Sequence, residues 1–169
     1  AALFAAATAW LRAQGAHCLR GPLNLSVNEE CGLLVEGFDS PPCVMMGHGL
    51  PRYDRALQDA GLRSARDLLA YRVAPDFEAP RVMRRLAEAG GSSVRVRSLD
   101  TRNRARELAL IRDIFNDAWS RNYGFVPFTE EEFADVGKLV TLLAPPDYVQ
   151  IAEVDGVPAA FIVAMPNIH

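Results

Sequence analysis

Asp155 and Gly156 stand between two apolar runs, Tyr148 to Val154 and Val157 to Met165. An Asp-Gly pair takes the left-handed conformations that close a twisted two-residue hairpin, so these runs are read as paired antiparallel strands. An antiparallel pair needs a cover for its apolar face, and the preceding sequence supplies one. Thr129 with Glu132 three residues on forms a capping box. It opens a helix whose inner stripe is Phe133, Val136, Val140 and Leu143, stopped by Pro145-Pro146. Before it, a long helix from about Arg102 to near Gly124 turns Leu108, Ile111, Phe115, Ala118 and Trp119 inward. Val94, Val96 and Leu99 alternate with Arg95, Arg97 and Ser98, which predicts a half-exposed strand. The second half therefore reads strand, helix, helix, strand, strand.

The first half reads differently. Leu3, Phe4, Ala7, Trp10 and Leu11 recur at helical spacing from the first residues to Gly15, a helix without a visible start signal. A short strand is expected around His17 to Arg20 or Leu23 to Val27, then structured loop from Asn28 to Gly49. Pro51 opens a helix carrying Tyr53, Ala56, Leu57 and Ala60 on one face, with Gly61 past its end, and Leu68 to Val73 reads as a strand. Pro75, Pro80 and Gly90-Gly91 surround a short Arg-rich helix and mark a boundary. The expected organisation is 1–77, a linker over 78–92, and 93–169.

The 169 residues suffice for one compact domain. No apolar stretch nears the ~20 residues of a membrane span, and no leader pattern is visible, so a cytoplasmic protein without membrane contact is expected. Residues 81–121 carry ten arginines against five acids, but Glu107, Asp113 and Asp117 interleave with them at helical spacing. That is a solvated helix face, and nucleic acid is not the expected partner. Cys18, Cys31, Cys43 and His48 lack the short knuckle of structural zinc, and no metal site is read from them.

The two element lists resemble the back half and the front half of one fold, that of the GNAT acyltransferase superfamily. Its order is strand, two helices, a three-strand meander, helix, strand, helix and strand. Val94 to His169, with "NYGFVPFTEEEF" and "YVQIAEVDGVPAAFIVAMPN", resembles the front; "RYDRALQDAGLRSARDLLAYRV" resembles the last helix and strand. Together with "RGPLNLSVNEECGLLVEGFDSPP", the chain resembles the middle of a bacterial protein with two GNAT-like units in tandem. The fold implied is α/β, a mixed, largely antiparallel sheet flanked by helices, incomplete or permuted. Strands from before residue 80 and after residue 92 are expected to share one mixed sheet, within a chain or between two chains. An exposed edge on the last strand would favour homo-oligomers.

The resemblance implies transfer of an acyl group from acetyl-CoA or another acyl-CoA to an amine of a small molecule or peptide. The alternative is a non-catalytic GNAT-like module that binds a ligand or partner. The family's phosphate loop, [RQ]-x-x-G-x-[GA], is absent: Arg12 to His17 and Arg121 to Val126 come closest and both fail at the last position. No tightly bound coenzyme is therefore expected on this chain, which alone would be inactive. Leu57 stands where many members carry a general-acid tyrosine; Tyr53, one turn earlier, is the substitute candidate. Glu36 is the candidate carboxylate base, and Asn24 and Asn28 lie in the same polar region. Tyr123, Phe125 and Phe128 would wall an acceptor pocket, as the family's connection between its first two helices does. Read for packing alone, they form an aromatic plug between two helices.

Overall fold

A computed structural model describes residues 2–74, 76–89 and 93–167. They form two units, Ala1–Tyr71 with Asn167–His169, and Arg72–Pro166. Pro75, Gly90 and Gly91, read as boundary punctuation, lie outside the described residues.

The first unit contains α1 (Ala2–Ala13), a ribbon of β1 (Leu23–Asn24) and β2 (Ser26–Cys31), and α2 (Arg52–Asp59). The ribbon folds about Leu25, whose φ of 68° breaks the continuous strand expected over 23–27; Asn24 then pairs with Ser26 and Leu23 with Cys31. Leu68 to Val73 does not form the expected strand. Strand propensity at Leu68, Leu69, Tyr71 and Val73 is worth little without a neighbouring strand to take their backbone groups, and these side chains are exposed. No side chain among this unit's described residues is fully buried.

The second unit holds α3 (Arg81–Ala89), β3 (Val94–Ser98), α4 (Arg104–Trp119), α5 (Glu130–Leu143), β4 (Val149–Val154) and β5 (Val157–Val163). Its sheet is antiparallel in the order β3-β4-β5, so the chain is mixed α/β. Asp155 and Gly156, at φ 50° and 79°, make the turn that their sequence demands. Arg97, Ile151 and Phe161 form one cross-strand row, and Val149 lies opposite Val163. This face meets α4 and α5 in a core of Leu99, Ile111, Phe128, Phe133, Ala144, Val149 and Ile151. The other face presents Val94, Val96, Val154 and Ile162 to solvent.

Among the described residues the two halves share no sheet: β1 pairs with β2, and β3 to β5 pair among themselves. Of the two forms expected for a shared sheet, the one within a chain is not formed among the described residues. A two-residue β1 offers too short an edge, and the segment that should have joined, 68–73, has no ladder. Ala118 and Trp119, assigned inward from periodicity, are exposed because they lie at the end of α4, past the sheet's cover. Trp119 instead stacks on Phe115, with ring centroids 5.0 Å apart.

The helix pair is locked at Gly137. A Cβ there would lie 2.6 and 2.8 Å from the two methyls of Leu108 and 3.2 Å from its Cγ. Because Cγ is crowded as well, a rotation about χ2 does not clear the space. Gly137→Ala gains up to ~1 kcal/mol of helix propensity yet is expected to lose ~1–2 kcal/mol net through overpacking. In a Leu108→Ala background the same change should turn stabilising. A urea double-mutant cycle without coupling between the two sites would rule this packing out.

Candidate functional site

Both segments that come near the phosphate-loop pattern fold as helix C-termini. After α1, Gly15 has φ 80°, and the N–H groups of Gln14, Gly15 and Ala16 donate back to the carbonyls of Trp10, Leu11 and Arg12. After α4, Gly124 has φ 73°, Asn122 N–H donates to the Trp119 carbonyl and Phe125 N–H to that of Asn122. A pyrophosphate needs free N–H groups at the positive end of a helix. Here the donors just named are engaged and the helix end is negative, so neither segment fits the diphosphate of coenzyme A.

Tyr53 lies on α2, 43% exposed, with its ring against Gly49. Glu36 is exposed in the loop after β2; Asn24 ends β1 and is exposed, and Asn28 is half-buried in β2. No hydrogen bond joins Tyr53 to Glu36 among the described residues. Tyr123, Phe125 and Phe128 lie in the other unit, in the connection from α4 to α5. Tyr123 is 47% exposed, Phe125 is half-buried and Phe128 is buried. Phe115 packs against Phe125 and Phe128 at 5.9 and 5.5 Å between centroids, and Phe128 against Phe133 edge-on. Asn116 fixes the connection: its Oδ1 accepts from Phe128 N–H at 2.9 Å and its Nδ2 donates to the Phe128 carbonyl at 3.0 Å. Phe128 thus belongs to the hydrophobic core and not to an open wall. No group of three or more His, Cys, Asp or Glu is placed to hold a metal among the described residues.

The structure does assemble one charged cluster. Arg97 on β3 donates through Nε to Glu153 of β4 at 2.6 Å, and through both terminal nitrogens to Glu107 of α4 at 2.5 and 3.0 Å. Glu107 also accepts from the Asp100 N–H at 3.3 Å. The side chain of Glu107 is 7% exposed and that of Glu153 15%. The Arg97 hydrogen bonds hold the Glu107 carboxyl below its ordinary range, against a burial that acts the other way. Arg97 is correspondingly pushed up, chiefly by its bonds to the same two carboxylates. Glu107 is therefore ionised and fully engaged near neutral pH. The cluster ties helix to sheet and offers no proton for exchange.

No protein-family model matches the chain, and no solved structure matches it. Two relatives align along nearly all of it. Protein YghO of Escherichia coli (strain K12) is 45% identical over 170 aligned residues, covering 100% of this chain and 44% of that protein. A protein named bacterial ceramide synthase, from Caulobacter vibrioides (strain NA1000 / CB15N), is 40% identical over 168 residues, covering 99% of this chain and 44% of that protein. The chain thus spans less than half the length of either relative.

The Arg97 cluster overturns the expectation that Glu107 lies on a solvated helix face, since Glu107 is buried, yet the signal for the cluster is in the sequence. Arg97 shares strand parity with the buried Leu99, Glu153 with Ile151, and Glu107 precedes Ile111 by one helical turn. Three charges on three inward positions imply mutual pairing, because a lone buried charge is too costly. No helix among the described residues is long and apolar enough to cross a membrane.

Proposed function

We propose that the protein takes part in N-acyl transfer, joining an acyl group from an activated donor to the amine of a long-chain amino alcohol or similar acceptor. The observation that carries this reading is the 40% identity, over 99% of the chain, to a protein named bacterial ceramide synthase. Ceramide is an amide of a fatty acid with a long-chain amino alcohol, and making that bond is N-acyl transfer. The GNAT assignment belongs to the same proposal, supported by the strand, helix, helix, hairpin order of β3, α4, α5, β4 and β5. Within it, Tyr53 and Glu36 remain the candidates for moving protons, and Asn24, Asn28, Tyr123 and Phe125 for holding the acceptor. Acetyl-CoA or a longer acyl-CoA is the proposed donor in a bacterial, cytoplasmic setting, and self-association through β5 is the proposed assembly.

A second reading, a non-catalytic binding module, is favoured by one observation: the two nearest phosphate-loop segments lie at helix C-termini, with several of their N–H groups turned back onto the helix or its end. Incubation with palmitoyl-CoA and sphinganine, followed by mass spectrometry of the lipids, separates the two. A polypeptide as long as the relatives should form the amide, while this 169-residue chain alone should not. Absence of amide from the longer polypeptide, when it binds palmitoyl-CoA by calorimetry, would leave the binding-module reading standing.

A further inference from the structure

α4 and α5 run antiparallel and are tied at three levels. The Arg104 guanidinium bonds to the Gly137 carbonyl and to the Thr141 hydroxyl, Leu108 fills the space over Gly137, and Arg112 lies 3.8 Å from Glu130. Along the same pair, the outward side leaves a groove of about 430 Å³. That falls in the range of small-molecule sites. From Arg104 to Arg112 it follows about two turns of α4, roughly 12 Å. Its floor is Ala105, Leu108, Ala109, Phe133 and Ala134, apolar throughout, and the alanines are what keep it open. Arg104, Arg112 and Lys138 stand at its rim, with one carboxylate, the exposed Glu130, at the Arg112 end.

These cations are not equivalent. Lys138 pairs with Asp135 at 2.7 Å and Arg112 with Asp113 at 2.8 Å, so their charge is locally cancelled. Among the described residues Arg104 bonds only to neutral acceptors. The uncompensated charge at that end of the groove is therefore positive. A long-chain amine would bring an ammonium to it and be repelled. A fatty acyl chain ending in a carboxylate suits both the apolar floor and Arg104.

We propose that the groove between α4 and α5 binds a long-chain fatty acid, its hydrocarbon chain along the apolar floor and its carboxylate at Arg104. The idea rests on the N-acyl-transfer reading and assigns this surface to the fatty acid from which the acyl donor is made or to which it hydrolyses, not to the amine acceptor. Each methylene buried in such a groove strengthens binding about fourfold until the floor is covered.

The test is displacement of cis-parinarate, a fluorescent long-chain fatty acid, from the protein. Dodecanoate should compete better than octanoate by on the order of tenfold or more. Hexadecylamine should compete less well than hexadecanoate. Ala109→Trp, which fills the floor, should weaken parinarate binding by roughly tenfold or more, with its circular dichroism unchanged. Arg104→Glu, a change on an exposed side chain, should reverse the preference between hexadecanoate and hexadecylamine. A folded Ala109→Trp protein that binds parinarate like the wild type overturns the proposal. Should that variant not fold, an unaltered carboxylate preference in Arg104→Glu overturns it equally. Both readouts are binding alone, so amide formation lost with chain-length selection intact counts against the catalytic reading, and the converse against the groove.

Discussion

Replacing Arg97 with alanine should lower the stability of the second unit by about 3–5 kcal/mol at neutral pH, measured by urea unfolding. The loss is not that of three hydrogen bonds to water-exposed partners. Glu107 and Glu153 are both largely buried, and without the guanidinium they become two like charges facing each other across the helix-sheet contact. Their desolvation is then uncompensated. Arg97→Met with Glu107→Leu and Glu153→Met together should recover most of the loss, because apolar groups of similar volume need no partner.

The pH dependence distinguishes this from simple loss of packing. In the wild type, the folded-state carboxyl of Glu107 lies below its ordinary value. Its stabilising contribution is therefore present above the unfolded value near ~4.3 and is lost as pH falls through the folded one. In Arg97→Ala the orphaned pair takes up a proton more readily than it would unfolded, so that variant gains stability as pH falls toward that same region. The gap between the two proteins should narrow from pH ~7 to ~5. A gap that stays constant would mean that Arg97 acts through its aliphatic stem alone.

What could be read in the sequence divides along the same line. Thr129 and Glu132 announced the start of α5, and the structure shows both halves of the capping box: Glu132 N–H donates to the Thr129 hydroxyl, and Thr129 N–H to the Glu132 carboxylate at 2.9 Å. Asp155-Gly156 announced the hairpin. In both cases the decisive chemistry lies within four residues, so local sequence contains it. Leu68 to Val73 has equal strand propensity but no neighbour within reach of local reasoning, and it has no regular structure. The aromatic connection was legible as composition, while its role depended on Asn116, twelve residues from Phe128 and half-buried at the same place. Tyr53 and Glu36 have side chains suited to moving protons, which does not determine whether the chain brings them together.

Ile151→Ala should destabilise the second unit by ~2–5 kcal/mol, whereas Ile162→Ala should cost under ~0.5 kcal/mol in the same chain. The two isoleucines sit on adjacent strands of one hairpin, and composition cannot separate them. Parity does. Ile151 lies on the middle strand between Arg97 and Phe161, beneath α4 and α5, and is 0% exposed. Removing three of its carbons leaves a cavity that its rigid neighbours cannot close. Ile162, opposite Gln150 on the other face, is 65% exposed, and truncating it removes little that was withdrawn from water. Val94, Val96 and Val154 share that face, so it is a contiguous apolar surface and not a single stray side chain. Thermal or urea unfolding of the two variants therefore measures the sheet's two sides separately. Equal costs would mean that the open face is covered in solution, by self-association or by another segment. Repeating the Ile162→Ala comparison across protein concentration would then decide between them, because only self-association makes the cost concentration-dependent.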